Sequence, residues 1–572
     1  MKRRQVLASL LGGGCVAGVS LTPAFQRAII AQDESTPSQD AITADQVDKA
    51  SWIVDAKLTP EQCEEVAKEL TTRLRNLKPL RENPPLEDVP MPLAFVPSFF
   101  VASQNNNQIV RSEATDWKQS VELPEFKDIS SIVEWSIPQI ALALRKGLFS
   151  CEQATRFYLD RLKAANDKLL CVVTFNEKAL DAATRMDEEL KQGKDRGVLH
   201  GIPWGAKDII AVPGMPTTWG VGNYETREWQ APATVYEKLE MAGAVLLAKL
   251  SVGTMAMGDE WFRGTTKNPW NIKQGSSGSS AGSASAVAAR LCPFALGSET
   301  LGSIVSPTRV CATSGLRPTF GRVSRAGCMT LAWSMDKIGP IANRVEDLAI
   351  VFQELLGSDQ RDPTVVERPF AWPTSLAPKD LKIGITERLS RSERFVADWL
   401  QGQGAELVTI KFEKGATTAM LDALSAEAAS VHDKLFRSVS QDSELGKWGP
   451  TYREAQWVRA IDYLHGMRQR VDLIQDAEQQ LAQVDLLVGD GNLARMNLTG
   501  HPSLVVAYGV EPQRRPAEGD AEKPADSPPP EFDMGGRRRP NTVVLTGKMF
   551  SESTLLVVGQ LIQSAHPFEM IS

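Results

Sequence analysis

Two hydrophobic rhythms alternate along most of this chain. "SIPQIALALRKG" (136–147) sets apolar residues at helical intervals between a serine start and a glycine stop. "SCEQATRFYLDRLKAAN" (150–166) restarts the same rhythm with the Ser150/Gln153 pattern of a capping box. "TVYEKLEMAG" reads as a helix, and "AVLLAKL" directly after it as a buried strand. Alternation of this kind, which begins at Ile129, predicts an α/β fold with a sheet covered by helices on both faces. Upstream, "TPEQ" supplies an N-cap, a proline at N1 and a capping-box glutamine, predicting a helix from Thr59 to about Leu77. A proline-bearing stretch with "NPPLEDVPMP" follows. The expected organisation is therefore a leader at 1–31, a partly helical extension at 32–128 and a main domain at 129–572. Within the main domain, residues 511–540 hold seven prolines and "GGRRRP" between the apolar runs "SLVVAYGV" and "TVVLTG". This predicts a long surface loop joining two strands.

The leader changes the expected location. Lys2, Arg3 and Arg4 precede the apolar run "VLASLLGGGCVAGVSL", the order of a secretory signal peptide, and "RRQVL" resembles the twin-arginine export signal. Export to the periplasm or cell envelope is expected, with a cytoplasmic protein as the alternative. No other segment approaches 18 uninterrupted apolar residues, so membrane contact is expected only through the leader. A composition of 42% hydrophobic and 23% charged residues is that of a soluble globular protein. The net charge of -7, with no run of five basic residues, argues against a nucleic-acid surface. Seven cysteines without a CxxC pair and five scattered histidines give no zinc pattern, so neither metal nor cofactor is expected. The cysteines of the folded domain are expected to be buried free thiols.

The chemistry begins at "GSSGSSAGSAS" (275–285), six serines in eleven residues. So small and polar a run suits a linker, yet it leads straight into the alanine-rich "ASAVAARL" and the apolar "CPFALGS". About nine helical residues advance ~14 Å. About six extended residues return ~20 Å. Such an excursion can bring Ser303 back beside one of Ser276 to Ser285. A serine hydroxyl needs a base before it attacks, and no histidine lies near either segment. A lysine neutralised by burial can serve instead, and Lys207, in "LHGIPWGAKDI", is the candidate.

"GIPWGAKD", "NPWN" with "SGSSAGSASAVAA", and "GSETLGSIVSPTRVCATSGLRPTFGRVS" together resemble the amidase signature family. "MDKIGPIANRVEDLAIVFQELLG" and "NLTGHPSLVV" extend the likeness over roughly 129–572. The resemblance implies one large mixed β-sheet covered by helices, here with an N-terminal helical extension. It also implies a serine–cis-serine–lysine triad: Ser303 as nucleophile, Ser279 as proton bridge after a cis Gly278–Ser279 peptide, and Lys207 as base. Ser276 and Ser277 are then a decoy copy three residues early. Thr300, Leu301, Gly302 and Ser280 fall in the oxyanion and substrate-binding set, and a helix beginning near Gly282 points its positive end at the site. Three positions depart from the family pattern: Leu301 replaces a glycine, Glu299 an aspartate, and Val305 the arginine that partners this acid. Arg309 or Arg290 is expected to compensate. Trp204, Trp261, Trp270 and Trp333 lie near these motifs as pocket or core residues.

The implied activity is an amidohydrolase acting on a small-molecule or peptide amide. Three other readings stand beside it. Gly278, Ser280 and Gly282 satisfy the G-x-S-x-G elbow of α/β-hydrolases, which needs a strand immediately before it where "NPWNIKQ" reads as a loop. The substitutions at 301 and 305 suit a non-catalytic binding protein on the same scaffold. A glutaminase-type amidotransferase subunit belongs to the same family. Oligomeric state is left open, with a homodimer as one arrangement.

Overall fold

The computed structural model describes residues 41–54, 56–82, 118, 121–229, 231–374, 376–439, 445–509 and 539–567. The leader and nearly all of the 511–540 loop lie outside the described residues. Eleven strands form one sheet. In chain order they are β1 (Val172–Phe175), β2 (Pro203–Lys207), β3 (Val245–Leu250), β4 (Phe294–Glu299), β5 (Ser314–Arg317) and β6 (Lys337–Ala342). β7 (Lys382–Ile385), β8 (Glu406–Thr409), β9 (Leu486–Val488), β10 (Ser503–Tyr508) and β11 (Asn541–Gly547) complete it. Their spatial order is β1-β3-β2-β4-β6-β5-β10-β11-β9-β7-β8. The pairing is mixed: β2 runs parallel to β3 and β4, whereas β6 runs antiparallel to β4 and β5. β2, β3, β4, β6 and β10 are buried along their whole lengths, as expected when helices cover both faces.

Local signals hold where the chain supplies its own hydrogen bonds. Ser136 and Ser150 make the reciprocal capping bonds with Gln139 and Gln153, starting the helices Ile137–Arg145 and Cys151–Leu169. Thr59 and Gln62 do the same at the helix Pro60–Glu82, which runs one turn past the expected stop at Leu77. This helix lies against Thr418–Ser438 and Trp448–Ala455: Arg73 Nη1 donates to the Glu454 carbonyl at 2.7 Å, and Arg73 Nε sits 3.5 Å from Asp422. Six cysteines, Cys63, Cys151, Cys171, Cys292, Cys311 and Cys328, are buried free thiols.

One register sets up the site. Trp204, Gly205 and Ala206 of β2 pair in parallel with Phe294, Ala295 and Leu296 of β4. The carboxyl ends of both strands therefore emerge together, the edge at which open α/β sheets place their sites. Lys207 ends one strand, and the turn to Ser303 begins where the other stops. Between the serine run and β4, the helix Ala281–Ala288 makes the outward leg of the excursion.

Candidate active site

Lys207 is fully buried, and its amine is held by hydroxyls and a carbonyl alone. Nζ has four oxygens at hydrogen-bonding distance: Ser279 Oγ at 2.8 Å, Ser298 Oγ at 2.9 Å, Ser280 Oγ at 3.0 Å and the Ser298 carbonyl at 3.1 Å. Nearby on β3, the equally buried Lys249 meets the Asp208 carboxylate at 2.8 Å. The contrast matters because desolvation without a contacting anion disfavours the ammonium form. Burial pushes Lys207 down to about 7, against the weaker opposing pull of Glu299 and Asp336.

The serine run is placed by its backbone. The Gly278–Ser279 peptide is cis. A side chain at 278 would meet the Gly258 carbonyl oxygen at 1.8 Å, so only glycine fits beside Ser279. Ser276 Oγ donates to the Ser277 carbonyl, and Ser277 N donates to Asp259 Oδ2, so neither residue joins the lysine. Ser280 N donates to the Ser303 carbonyl at 3.1 Å, which brings Ser303 to the cluster as the excursion geometry requires. The Ser279 and Ser303 hydroxyls make no hydrogen bond to each other in this structure; such bonds often tighten only with substrate in place. Exposure rises along the series, from 0% at Lys207 through 1% at Ser279 to 8% at Ser303. All three are buried, Ser303 least so.

The turn after β4 leaves donors free. Among the described residues, the N–H groups of Leu301 and Gly302 have no protein acceptor, although the Gly302 carbonyl accepts from Ser306 N at 2.7 Å. Leu301 keeps its N–H and turns its side chain outward, 36% exposed. Gly302 has φ +87°, and a side chain there would meet Leu493 at 2.9 Å. Thr300 Oγ1 donates to Asp336 at 2.6 Å, and Asp336 also accepts from the Leu331 and Ala332 amides.

Several expectations are corrected. Neither Arg309 nor Arg290 reaches Glu299: the first sits 3.8 Å from Asp490 and the second 3.6 Å from Glu134. Arg317 at the end of β5 takes the place instead, with Nη1 2.9 Å from Glu299 Oε1. Burial would raise Glu299, but Arg317 and Lys337 hold it down at about 2. Ser280, expected in the substrate-binding set, turns its hydroxyl inward to Lys207 and Ser298. "NPWNIKQ" does carry a strand, Asn271–Gly275, but it pairs only with Lys267–Asn268 outside the main sheet. With Ser280 fully buried, the nucleophile-elbow reading has no exposed serine. Trp204 stacks on Phe294 in the core and Trp270 Nε1 donates to the Cys311 carbonyl, whereas Trp333 is 50% exposed. Ser298 is the residue that sequence reasoning misses. Its hydroxyl stands in "GSETLGS", a signal that becomes readable only once β2 and β4 are known to be neighbours.

Known proteins share sequence and fold with this chain. The Amidase family model matches residues 153–556. Curated relatives include a glutamyl-tRNA(Gln) amidotransferase subunit of Alkalilimnicola ehrlichii, 40% identical over 259 residues, covering 44% of this chain and 53% of the relative. Its namesake from Chlorobium chlorochromatii is 35% identical over 313 residues, covering 52% and 66%. The chain thus spans about half to two thirds of the length of these relatives. Among solved structures, native peptide amidase from Stenotrophomonas maltophilia superposes with a TM-score of 0.63 at 25% identity, covering 77% of this chain and 99% of that one. An amidase family protein from Bacillus anthracis gives a TM-score of 0.66 at 23% identity, covering 81% and 95%. With the family model spanning most of its length and the fold shared along nearly the whole of its structural neighbours, this chain belongs to the amidase signature family.

Proposed function

We propose that the protein is an amidohydrolase that cleaves a carboxylic amide C–N bond through an acyl-enzyme on Ser303. The observation that carries this reading is the buried Lys207, met only by neutral groups and joined to Ser279 at 2.8 Å, with Ser303 held beside the serine run through the Ser280 amide. A lysine near 7 is largely neutral in mildly alkaline conditions and can accept a proton. Lys207 takes the Ser279 proton as Ser279 takes that of Ser303, and Ser303 Oγ attacks the amide carbon. The free N–H groups at Leu301 and Gly302 receive the developing oxyanion, a contribution worth about 10²–10³ in rate per donor. The C–N bond then breaks as the relay returns its proton to the leaving amine. Water adds to the acyl carbon, the acid departs, and Ser303 recovers its proton.

A second reading has its own support. The curated relatives carry the name of an amidotransferase, which makes glutamine, as an ammonia source for a partner, the competing substrate. A screen over peptide, acyl and aryl amides alongside glutamine, with Ser303→Ala as control, separates the two. Hydrolysis of a non-glutamine amide that is lost in Ser303→Ala is the expected result. Turnover of glutamine alone would favour the amidotransferase reading. Silence on every amide, with no labelling by a fluorophosphonate, would favour a binding protein.

A further inference from the structure

Glu299 lies one strand end away from the triad and touches none of it. Yet both oxygens of its carboxylate are fully engaged. Oε2 accepts from Ile304 N at 2.7 Å and Val305 N at 2.9 Å, the two amides that follow Ser303. Oε1 accepts from Arg317 Nη1 at 2.9 Å and Asn497 Nδ2 at 2.8 Å. Arg317 continues through Nη2 to the His501 carbonyl at 2.8 Å and Ser503 Oγ at 2.6 Å, anchoring the group to the start of β10. Asn497 Oδ1 accepts from Lys337 Nζ at 2.9 Å, and that amine also lies 3.5 Å from the Thr300 carbonyl. Both flanks of the turn Thr300–Ser303 are therefore tied to one buried polar cluster, while the N–H groups of Leu301 and Gly302 inside the turn stay free. Position 305 carries no cation, and the one that meets Glu299 comes from β5. Val305 packs with Val505, Val544 and Leu493.

We propose that Glu299, set by Arg317 and Asn497, is a positioning residue that fixes Ser303 and the free amides of its turn in attacking geometry. The inference rests on the proposed acyl-enzyme chemistry. A displacement of about 1 Å in such a turn can cost 10²-fold in rate. Glu299 also faces Lys207 electrostatically, its charge favouring the lysine's protonated form. Loss of that charge should make Lys207 easier to deprotonate.

The test compares Glu299→Gln, Arg317→Lys and wild type on one amide, with thermal melts to establish folding. Glutamine is isosteric but turns an NH₂ toward either the two backbone amides or Arg317, opposing donor to donor. In folded Glu299→Gln, kcat should fall by at least tenfold with KM within about threefold, and the acid limb of the pH profile should move to lower pH. Arg317→Lys keeps the charge and loses the forked contact, so kcat should fall several-fold with the limb unmoved. Wild-type kcat in either folded variant would overturn the proposal, as would a loss seen only in KM or an acid limb that stays in place in Glu299→Gln. If Glu299→Gln does not fold, the kcat of Arg317→Lys decides. A wild type that neither turns over an amide nor is labelled by a fluorophosphonate would overturn the proposed function, and this inference with it.

Discussion

Lys207 shows how burial changes the proton affinity of an ordinary side chain. Its neighbours are three hydroxyls and a carbonyl, so no anion in contact offsets the loss of hydration on charging. Because the base must be neutral, kcat/KM should rise through an acid limb centred near 7 and level off above it. A pH–rate profile on a non-ionising amide checks this; a flat profile between about pH 5.5 and 8.5 would remove Lys207 as the base. At this scale the proposed triad is legible in the sequence because Lys207, Ser279 and Ser303 stand in motifs with characteristic spacing. Ser298 and Arg317 are not legible. Their roles depend on which strands lie together, and Arg317 reaches Glu299 past β6, which lies between β5 and β4. Arg309, nearer in sequence, finds Asp490 instead.

Among the elements, helices with their own capping boxes are readable because the signal and the bond that satisfies it lie within four residues. The short strand Asn271–Gly275 is not, since its pairing with Lys267–Asn268 leaves little apolar alternation to read. The β10–β11 hairpin carries a prediction. Tyr508 pairs with Asn541, and Asn541 Nδ2 donates to the Gly509 carbonyl at 3.2 Å, so the two ends of the proline-rich insertion stand side by side. Replacing residues 514–538 by a short glycine-serine turn should therefore leave melting temperature within a few degrees and amide turnover within about twofold. Insoluble protein, or a loss of fluorophosphonate labelling, would show that the insertion is structural.

Over the whole molecule, the cost of Lys207 should appear in stability. Its pKa falls from 10.5 unfolded to about 7 folded, so between these values the unfolded chain binds the extra proton and stability rises with pH. Below about pH 7 the native state must also carry the buried charge. Lys207→Met removes this linkage, so its stability relative to wild type should be most favourable near pH 6 and decline toward about pH 10. Urea midpoints at about pH 6 and 9.5 measure the difference; an equal offset at both would contradict a neutral native lysine. The mixed sheet that brings β2 and β4 together thus carries a destabilising group that the proposed chemistry requires. The most direct measurement is to trap the covalent intermediate with an activated amide or fluorophosphonate and locate the adduct by peptide mass spectrometry. The adduct should lie on Ser303, vanish in Ser303→Ala, and form on Ser303 several powers of ten more slowly in Ser279→Ala and Lys207→Ala. An adduct on Ser279 or Ser280, or undiminished turnover by Ser303→Ala, would contradict the assignment.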